Sequence, residues 1–67
     1  MKVAILISLA RQVEGEMVYI NVLKAHQDPA KLQEYLKNTD LPLTGKFGGG
    51  ECVMEYGVFK DIEVEVD

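Results

Sequence analysis

The only cysteine and the only histidine of this 67-residue chain, Cys52 and His26, are the first residues to test for chemistry. A Cys/His pair can act as nucleophile and base, but the two side chains must lie within hydrogen-bond reach and a third group must orient the imidazole. Nothing in the sequence brings them together, because Cys52 occupies an apolar position and His26 precedes a helix start. One cysteine and one histidine also fall short of the four ligands that structural zinc usually takes. We therefore predict no catalytic residue, no metal site and no cofactor.

A glycine-rich segment, TGKFGGG at 44–50, is the second candidate, because the backbone N–H groups of such a loop can bind a phosphate. The spacing does not match a P-loop, which requires a glycine six positions before the lysine and Ser or Thr directly after it. Asp40 and Phe47 stand at those two positions. One interpretation is a flexible connection, and the alternative is a loop that binds an anion or a nucleotide. Its ligand-binding residues would be Lys46, Gly48, Gly49 and Gly50.

The acidic residues are concentrated at the C-terminal end of the chain. The net charge is −4, yet residues 1–50 carry six basic and five acidic side chains, so residues 51–67 hold the whole excess. Alternation in this segment predicts one negative strand face, which could orient a basic protein or imitate the phosphate row of a nucleic acid. The alternative is a solvated edge strand whose charges prevent aggregation. The predicted protein-binding residues are Glu55, Phe59, Asp61, Glu63, Glu65 and Asp67.

Three segments with regular periodicity must position these residues. Residues 2–13 form a predicted strand that is apolar on both faces, which indicates a central strand. Residues 17–25 form a second predicted strand after a tight turn. Asp28 then suits a helix N-cap and Pro29 the first helical position, and the helix is predicted to run to about residue 38.

The remainder of the chain is predicted from helix- and strand-breaking residues and from alternation. Residues 39–50 contain Pro42 and four glycines, which favours an irregular connection. Residues 51–66 alternate between apolar and mostly acidic positions. Gly57 is the expected site of a bulge, a bend or a break into two strands.

These elements predict an α+β fold in a single domain over residues 1–67. Its small antiparallel sheet has three or four strands with one helix packed on one face, in the order β-β-α-β. A helix with so few apolar residues covers only part of one sheet face, and an uncovered apolar patch on the other usually marks a partner. We expect a homodimer or an obligate protein partner. The predicted contact residues are Leu6, Met17, Tyr19 and Leu23.

Size and composition limit the classes of function. A chain of this length is marginally stable without a disulfide, a metal or a partner, and a single cysteine excludes an internal disulfide. The apolar run at 3–10 is too short for a membrane span of about 20 residues, and the acidic balance argues against direct nucleic-acid binding. We expect a cytoplasmic protein, or one in the host cytoplasm if it is phage-encoded, with no membrane partner.

The order of features resembles small uncharacterised bacterial and phage proteins that have a long hairpin, a short helix with an Asp-Pro start and a closing acidic strand. The matching segments are MVYINVLKAHQDPAKLQEYLK and VFKDIEVEV, which together cover about half of the chain. The resemblance implies a ββαβ fold and a non-enzymatic accessory role, and it carries over no functional residues.

Three functions are compatible with these features. The leading hypothesis is a non-catalytic, acidic binding protein that regulates or inhibits another macromolecule, for example a phage-type inhibitor of a host protein that acts by phosphate mimicry. Its partner would be a protein that is basic or itself binds nucleic acid. The alternatives are a small-ligand or nucleotide-binding module that uses the 44–50 loop, and a structural subunit of a larger assembly.

Overall fold

The computed structural model describes residues 1–65 of the chain. Five elements follow one another: β1 (Lys2–Gln12), β2 (Val18–His26), α1 (Pro29–Asn38), β3 (Thr44–Phe47) and β4 (Gly50–Glu63). The four strands form one antiparallel sheet in the order β2-β1-β4-β3. The helix α1 packs on one face of this sheet.

The predicted fold class is wrong in the number and order of its elements. The order is β-β-α-β-β, and strands account for 58% of the described residues against 15% for the helix. The protein is therefore a curled four-stranded sheet that carries one helix, and not a simple ββαβ unit. The additional element is β3, which lies in the segment predicted as irregular.

Two of the glycines that indicated irregularity form a tight hairpin turn instead. Gly48 and Gly49 have positive φ angles of 60° and 81°, as the two central residues of a type I′ turn require. Phe47 pairs with Gly50 on the two sides of this turn, so β3 runs back along β4. Position 48 has no room for a side chain, because a Cβ there would collide with the Tyr19 hydroxyl.

The strand β1 is central, as its two apolar faces predicted. It pairs with β2 along one edge and with β4 along the other. Alternate side chains of a strand point to opposite faces, and here the even-numbered positions are the buried ones. These residues, Ala4, Leu6, Ser8 and Ala10, face the side of the sheet on which α1 lies.

The helix begins where the sequence predicted. Asp28 is the N-cap, and its side chain accepts a hydrogen bond from the Ala30 backbone N–H at 3.0 Å. Pro29 occupies the first helical position, where no intrahelical partner is available for an N–H. Asn38 ends the helix, and Thr39 after it is extended. Local signals therefore account for the start of the helix.

Because α1 has only ten residues, it covers only one end of the sheet. Its Leu32 is 0% exposed and packs against Ala4 and Leu6 of β1. The other end of the same face holds a second cluster, made of Ala10, Cys52 and Met54. Tyr56 contacts both clusters and joins them into one layer.

The segment predicted as 51–66 is one strand, β4, which continues through Gly57 and ends at Glu63. Its irregularity lies further along: Ile5 of β1 pairs with Phe59, whereas Val3 pairs with Ile62, so β4 contains one extra residue. This is a β-bulge, and it sends the side chains that follow to the opposite face.

Asp61 accommodates the bulge. Its φ of 61° lies in the left-handed region, which Asp enters more readily than most residues because its short side chain can bond locally. The position predicted for the irregularity, Gly57, has an ordinary place in the ladder opposite Ile7.

Candidate functional site

The face of the sheet opposite α1 has no element packed over it among residues 1–65, and we call it the open face. Paired residues of antiparallel strands share a face, so the register defines its members. They are Val3, Ile5, Ile7, Leu9 and Arg11 of β1, Val18, Ile20, Val22 and Ala25 of β2, Thr44 and Lys46 of β3, and Glu51, Val53, Glu55, Gly57, Phe59 and Ile62 of β4.

The open face is apolar and exposed. The central β1 residues are half-buried by their neighbours, but Ile20 is 66%, Val22 56% and Phe59 51% exposed. Monomeric proteins rarely leave contiguous apolar surface of this kind in water. The open face is therefore the strongest candidate for an interaction surface in this protein.

A shallow pocket lies within the open face over Gly57. Its volume is about 140 Å³, and Ile7, Leu9 and Phe59 contribute to its walls. It exists because Gly57 presents no side chain between Glu55 and Phe59. A pocket of this size accepts one aliphatic side chain from a bound protein, as anchor residues do at the centre of interfaces.

One end of the open face carries charges of both signs. Arg11 Nη2 lies 3.4 Å from a carboxylate oxygen of Glu55, and both side chains are largely exposed. Lys46 of β3 lies directly opposite Glu51 of β4. Exposed pairs of this kind add little stability, so their significance is the mixed charge that they give to the rim.

The predicted contact residues divide between several places. Leu6 is 0% exposed beneath α1, so the expectation that it faces a partner is wrong. Tyr19 pairs with Ala10 and therefore points to the helix side. Leu23 lines a pocket on that same side, and Met17 is exposed in the β1–β2 connection.

The prediction failed because the alternation of residues along β1 does not show which face of the strand meets the helix. Both of its faces are apolar, so alternation cannot decide which one meets the helix. The pairing of β2 adds a second difficulty, because Leu6 pairs with Lys24 while Ile7 pairs with Val22. Leu23 is the extra residue of this irregularity, so a parity count from Val18 gives Leu23 its correct face but places Lys24 and Ala25 on the wrong ones.

The acidic residues do not form the single stripe that alternation predicted. Glu55 lies on the open face opposite Leu9, whereas Glu63 pairs with Lys2 on the other face. Asp61 is taken up by the bulge between them. Glu65 is exposed, and Asp67 lies outside the described residues. The bulge is the physical reason, since it reverses the faces after Phe59.

The Glu63 carboxylate has a partner of its own. It accepts a hydrogen bond from the N-terminal ammonium of Met1 at 3.0 Å, and Val64 donates its backbone N–H to the Met1 carbonyl at 2.8 Å. Phe59, the aromatic residue predicted within the acidic stripe, lies instead in the apolar part of the open face opposite Ile5.

The glycine-rich candidates, Lys46, Gly48, Gly49 and Gly50, form the β3–β4 hairpin and not a loop around a ligand. The shallow pockets beside this hairpin contain carboxylates: Glu51 lines both of them and Glu14 lines one. Lys46 also lines one of these pockets, but Glu51 lies directly opposite it, so the carboxylates offset the attraction of this lysine for a phosphate.

His26 and Cys52 lie at opposite ends of the sheet. His26 pairs with Ala4 and Cys52 with Gln12. Eight residues of strand separate these two registers, or about 26 Å at 3.3 Å per residue. The His26 ring is also engaged, because its Nδ1 accepts the Asp28 backbone N–H at 2.9 Å. Within the described part of the chain, no cluster of His, Cys, Asp or Glu could hold a metal ion.

A pocket of about 200 Å³ lies on the helix side of the sheet, next to the part that α1 covers. Tyr56 forms part of its wall and donates its hydroxyl to the Pro42 carbonyl at 2.6 Å. Burial raises the pKa of Tyr56 above its ordinary value of 10.0, because the phenolate would lose hydration. Sequence reasoning missed this pocket, because Tyr19 and Phe47 meet there only when β3 forms.

No protein-family model, curated protein or solved structure matches this chain. Among residues 1–65, no helix has the length and apolar character needed to cross a membrane.

Proposed function

We propose that this chain is a non-catalytic binding protein that acts through the open face of its sheet. The observation that carries the proposal is the exposure of Ile20, Val22 and Phe59 in one contiguous apolar surface with no covering element among the described residues. Burying such side chains stabilises a complex by about 25 cal/mol per Å² of apolar area.

The partner that fits this surface best is a second copy of the chain. The molecule is a slab of 39 × 29 × 15 Å, so each broad side carries about a quarter of the 5176 Å² accessible surface. That area exceeds the roughly 800 Å² per partner of a standard stable interface. Self-pairing therefore offers enough area for a stable homodimer.

The shape and charge of the open face also favour a second copy. Two sheets rich in Val and Ile pack face to face about 10 Å apart, with strands roughly 30° from parallel. The rim contains Arg11 beside Glu55 and Lys46 beside Glu51, so it is complementary in charge to itself. The pocket over Gly57 could accept an aliphatic side chain from the opposite copy.

In this proposal the dimer regulates another macromolecule through surfaces that remain outside the interface. Asp61, Glu63 and Glu65 are exposed at the far end of β4, where they would meet a basic partner. Phosphate mimicry is not part of this proposal, because the bulge at Asp61 interrupts the linear row of carboxylates that mimicry would need.

The experiment is a measurement of solution mass by light scattering over a range of protein concentrations. We expect a mass twice the 7.5 kDa of the chain, because the open face is buried in a dimer. Ile20→Glu should give a folded monomer, since a carboxylate in the apolar interface has no partner there.

Leu43→Glu is the matched control, because Leu43 is an exposed apolar residue outside the open face. It should leave the dimer intact. A wild-type protein that remains monomeric at every concentration, with Ile20→Glu unchanged from it in mass, would contradict the proposal.

A further inference from the structure

The pocket on the helix side, which we call the ring pocket, is the second feature of the molecule that is suited to binding. It lies where α1 no longer covers the sheet, between the strand residues Ser8, Tyr19 and Met54 and the segment that contains Pro42. Phe47, carried over by the β3–β4 hairpin, forms another part of its wall. Its volume is about 200 Å³.

The lining of the ring pocket differs from the rest of the surface. Charged residues make up 27% of the chain, yet no charged residue among positions 1–65 lines this pocket. The pockets beside the hairpin turn and beside α1 all include Lys, Asp or Glu. An ion that entered the ring pocket would lose its hydration without finding an opposite charge, which is costly.

Two aromatic side chains define the shape of the ring pocket. The rings of Tyr19 and Phe47 have centroids 6.2 Å apart and planes inclined by 31°, a spacing within the range of favourable aromatic contacts. Ser8 supplies a hydroxyl and Asn21 an amide to the same pocket. The walls therefore combine aromatic surface with the hydrogen-bonding groups of Ser8 and Asn21, beside the hydroxyl-bearing rings of Tyr19 and Tyr56.

The core beneath the pocket is thin. Its buried residues are Ala10, Cys52 and Met54, and Ala10 fills little volume. The Tyr56 side chain, held by its hydrogen bond to the Pro42 carbonyl, fixes the boundary towards α1. A ligand in this position would complete a layer that the short helix leaves unfilled.

Volume and lining together specify a ligand class. An apolar cavity of about 150 Å³ binds benzene, so a pocket of about 200 Å³ accommodates one ring with a small substituent. We infer that the ring pocket binds a small, uncharged aromatic molecule whose hydroxyl or amide group hydrogen-bonds with Ser8 or Asn21. The inference does not depend on the proposed dimer, since the ring pocket and the open face lie on opposite sides of the sheet.

The probe for this inference is p-cresol. Its binding is measured through the changes that it causes in the amide resonances of the full chain. We expect saturable shifts centred on Ser8, Tyr19 and Phe47. Ser8→Ala should weaken p-cresol binding about three- to tenfold by removal of one hydrogen bond. The affinity for toluene, which has no hydroxyl, should stay the same in Ser8→Ala.

A second variant fills the pocket. Ala10→Leu should abolish p-cresol binding, because the added side chain occupies the ligand volume, and circular dichroism would establish that the variant is folded. Ala30→Leu, the same change at an exposed helix position, should bind p-cresol like the wild type.

Three outcomes of the p-cresol experiments would overturn the inference. They are shifts that do not saturate, shifts centred on Ile20 and Phe59 of the open face, and equal p-cresol affinity in folded Ala10→Leu and in the wild type. N-acetyl-tyrosine amide separates a free small molecule from an aromatic side chain of a protein. We expect it to bind more weakly than p-cresol, and tighter binding would also overturn the inference.

Discussion

The two faces of this sheet are built from similar residues and differ in what covers them. On the helix side, Leu6 and Leu32 are fully buried, whereas Ile20 and Val22 on the open face remain more than half exposed. The difference arises because α1, with ten residues, is the only helix among the described residues. One helix of this size can cover one face of the sheet at most. The exposure of an apolar residue in this protein therefore depends more on whether an element covers it than on its own hydrophobicity.

Truncation of one residue on each face is the sharpest way to test this difference. Leu32→Ala should lower the free energy of unfolding by about 2–5 kcal/mol, because it leaves a cavity between α1 and β1. Val22→Ala should cost less than about 0.5 kcal/mol in a monomer, since its side chain is already in water. Urea unfolding at two protein concentrations measures both values.

The dependence of these unfolding free energies on protein concentration distinguishes a monomer with an exposed open face from a dimer in which that face is buried. A cost of Val22→Ala that grows with protein concentration would mean that the residue is buried in a dimer. A cost for Leu32→Ala below that of Val22→Ala would contradict the assignment of the helix side as the core.

A second comparison concerns the hairpin that supplies Phe47 to the helix side. Gly48→Ala should destabilise the fold by about 2–3 kcal/mol for two reasons. The backbone at position 48 has a positive φ, and the added Cβ meets the Tyr19 hydroxyl. Gly49→Ala is the matched control, since its φ is also positive but no atom lies within 4 Å of the added Cβ. It should cost about 1 kcal/mol from backbone strain alone.

Thermal unfolding of the two glycine variants gives the measurement. The difference between them measures the cost of the overlap between the added methyl group and the Tyr19 side chain. Equal losses in the two variants would show that the Tyr19 ring moves aside without a measurable cost.

A third comparison concerns Tyr56, the residue that joins the two helix-side clusters. Tyr56→Phe should cost about 0.5–1.5 kcal/mol near neutral pH through loss of the hydrogen bond to the Pro42 carbonyl. The pKa of Tyr56 is raised in the folded protein, so the fold favours the neutral phenol. Its contribution is complete below pH 10 and is lost as the pH rises through the raised value.

Comparison of the wild type with Tyr56→Phe from pH 7 to pH 11 isolates this contribution from the other titrating groups. We expect the gap in unfolding free energy between the two proteins to narrow above pH 10. A gap that widens there would mean that the phenolate is the form stabilised by the fold.

Sequence reasoning succeeded where the signal is local. Asp28 and Pro29 define the helix start by chemistry confined to one turn, and the two apolar faces of β1 sufficed to make it central. It failed where the outcome depends on distant partners. Nothing in TGKF distinguishes a strand from a loop until β4 is alongside, and the paired glycines that indicated flexibility serve a tight turn.

The sequence predicted an uncovered apolar sheet face, but it assigned the wrong residues to that face. The sequence led us to expect one uncovered apolar face, and the structure has one, but parity could not decide between Leu6 and Ile7. One inserted residue in β2 and one in β4 then changed the faces of Lys24 and Ala25 and of the residues after Phe59. Bulges have weak sequence signals, because Asp61 adopts its left-handed conformation in response to the pairing on both sides.

The bulge at Asp61 also has a consequence for the kinds of change that the gene can tolerate. Single substitutions between Phe59 and Ile62 alter one exposed side chain each. Insertion of one further codon there would instead shift the phase of the strand, turning Ile62 to the helix side and bringing Glu63 against the apolar open face. Deletion of one codon would remove the extra residue and leave Phe59 and Ile62 on the open face in a regular ladder. Over evolutionary time this short segment should therefore lose a residue more readily than it gains one.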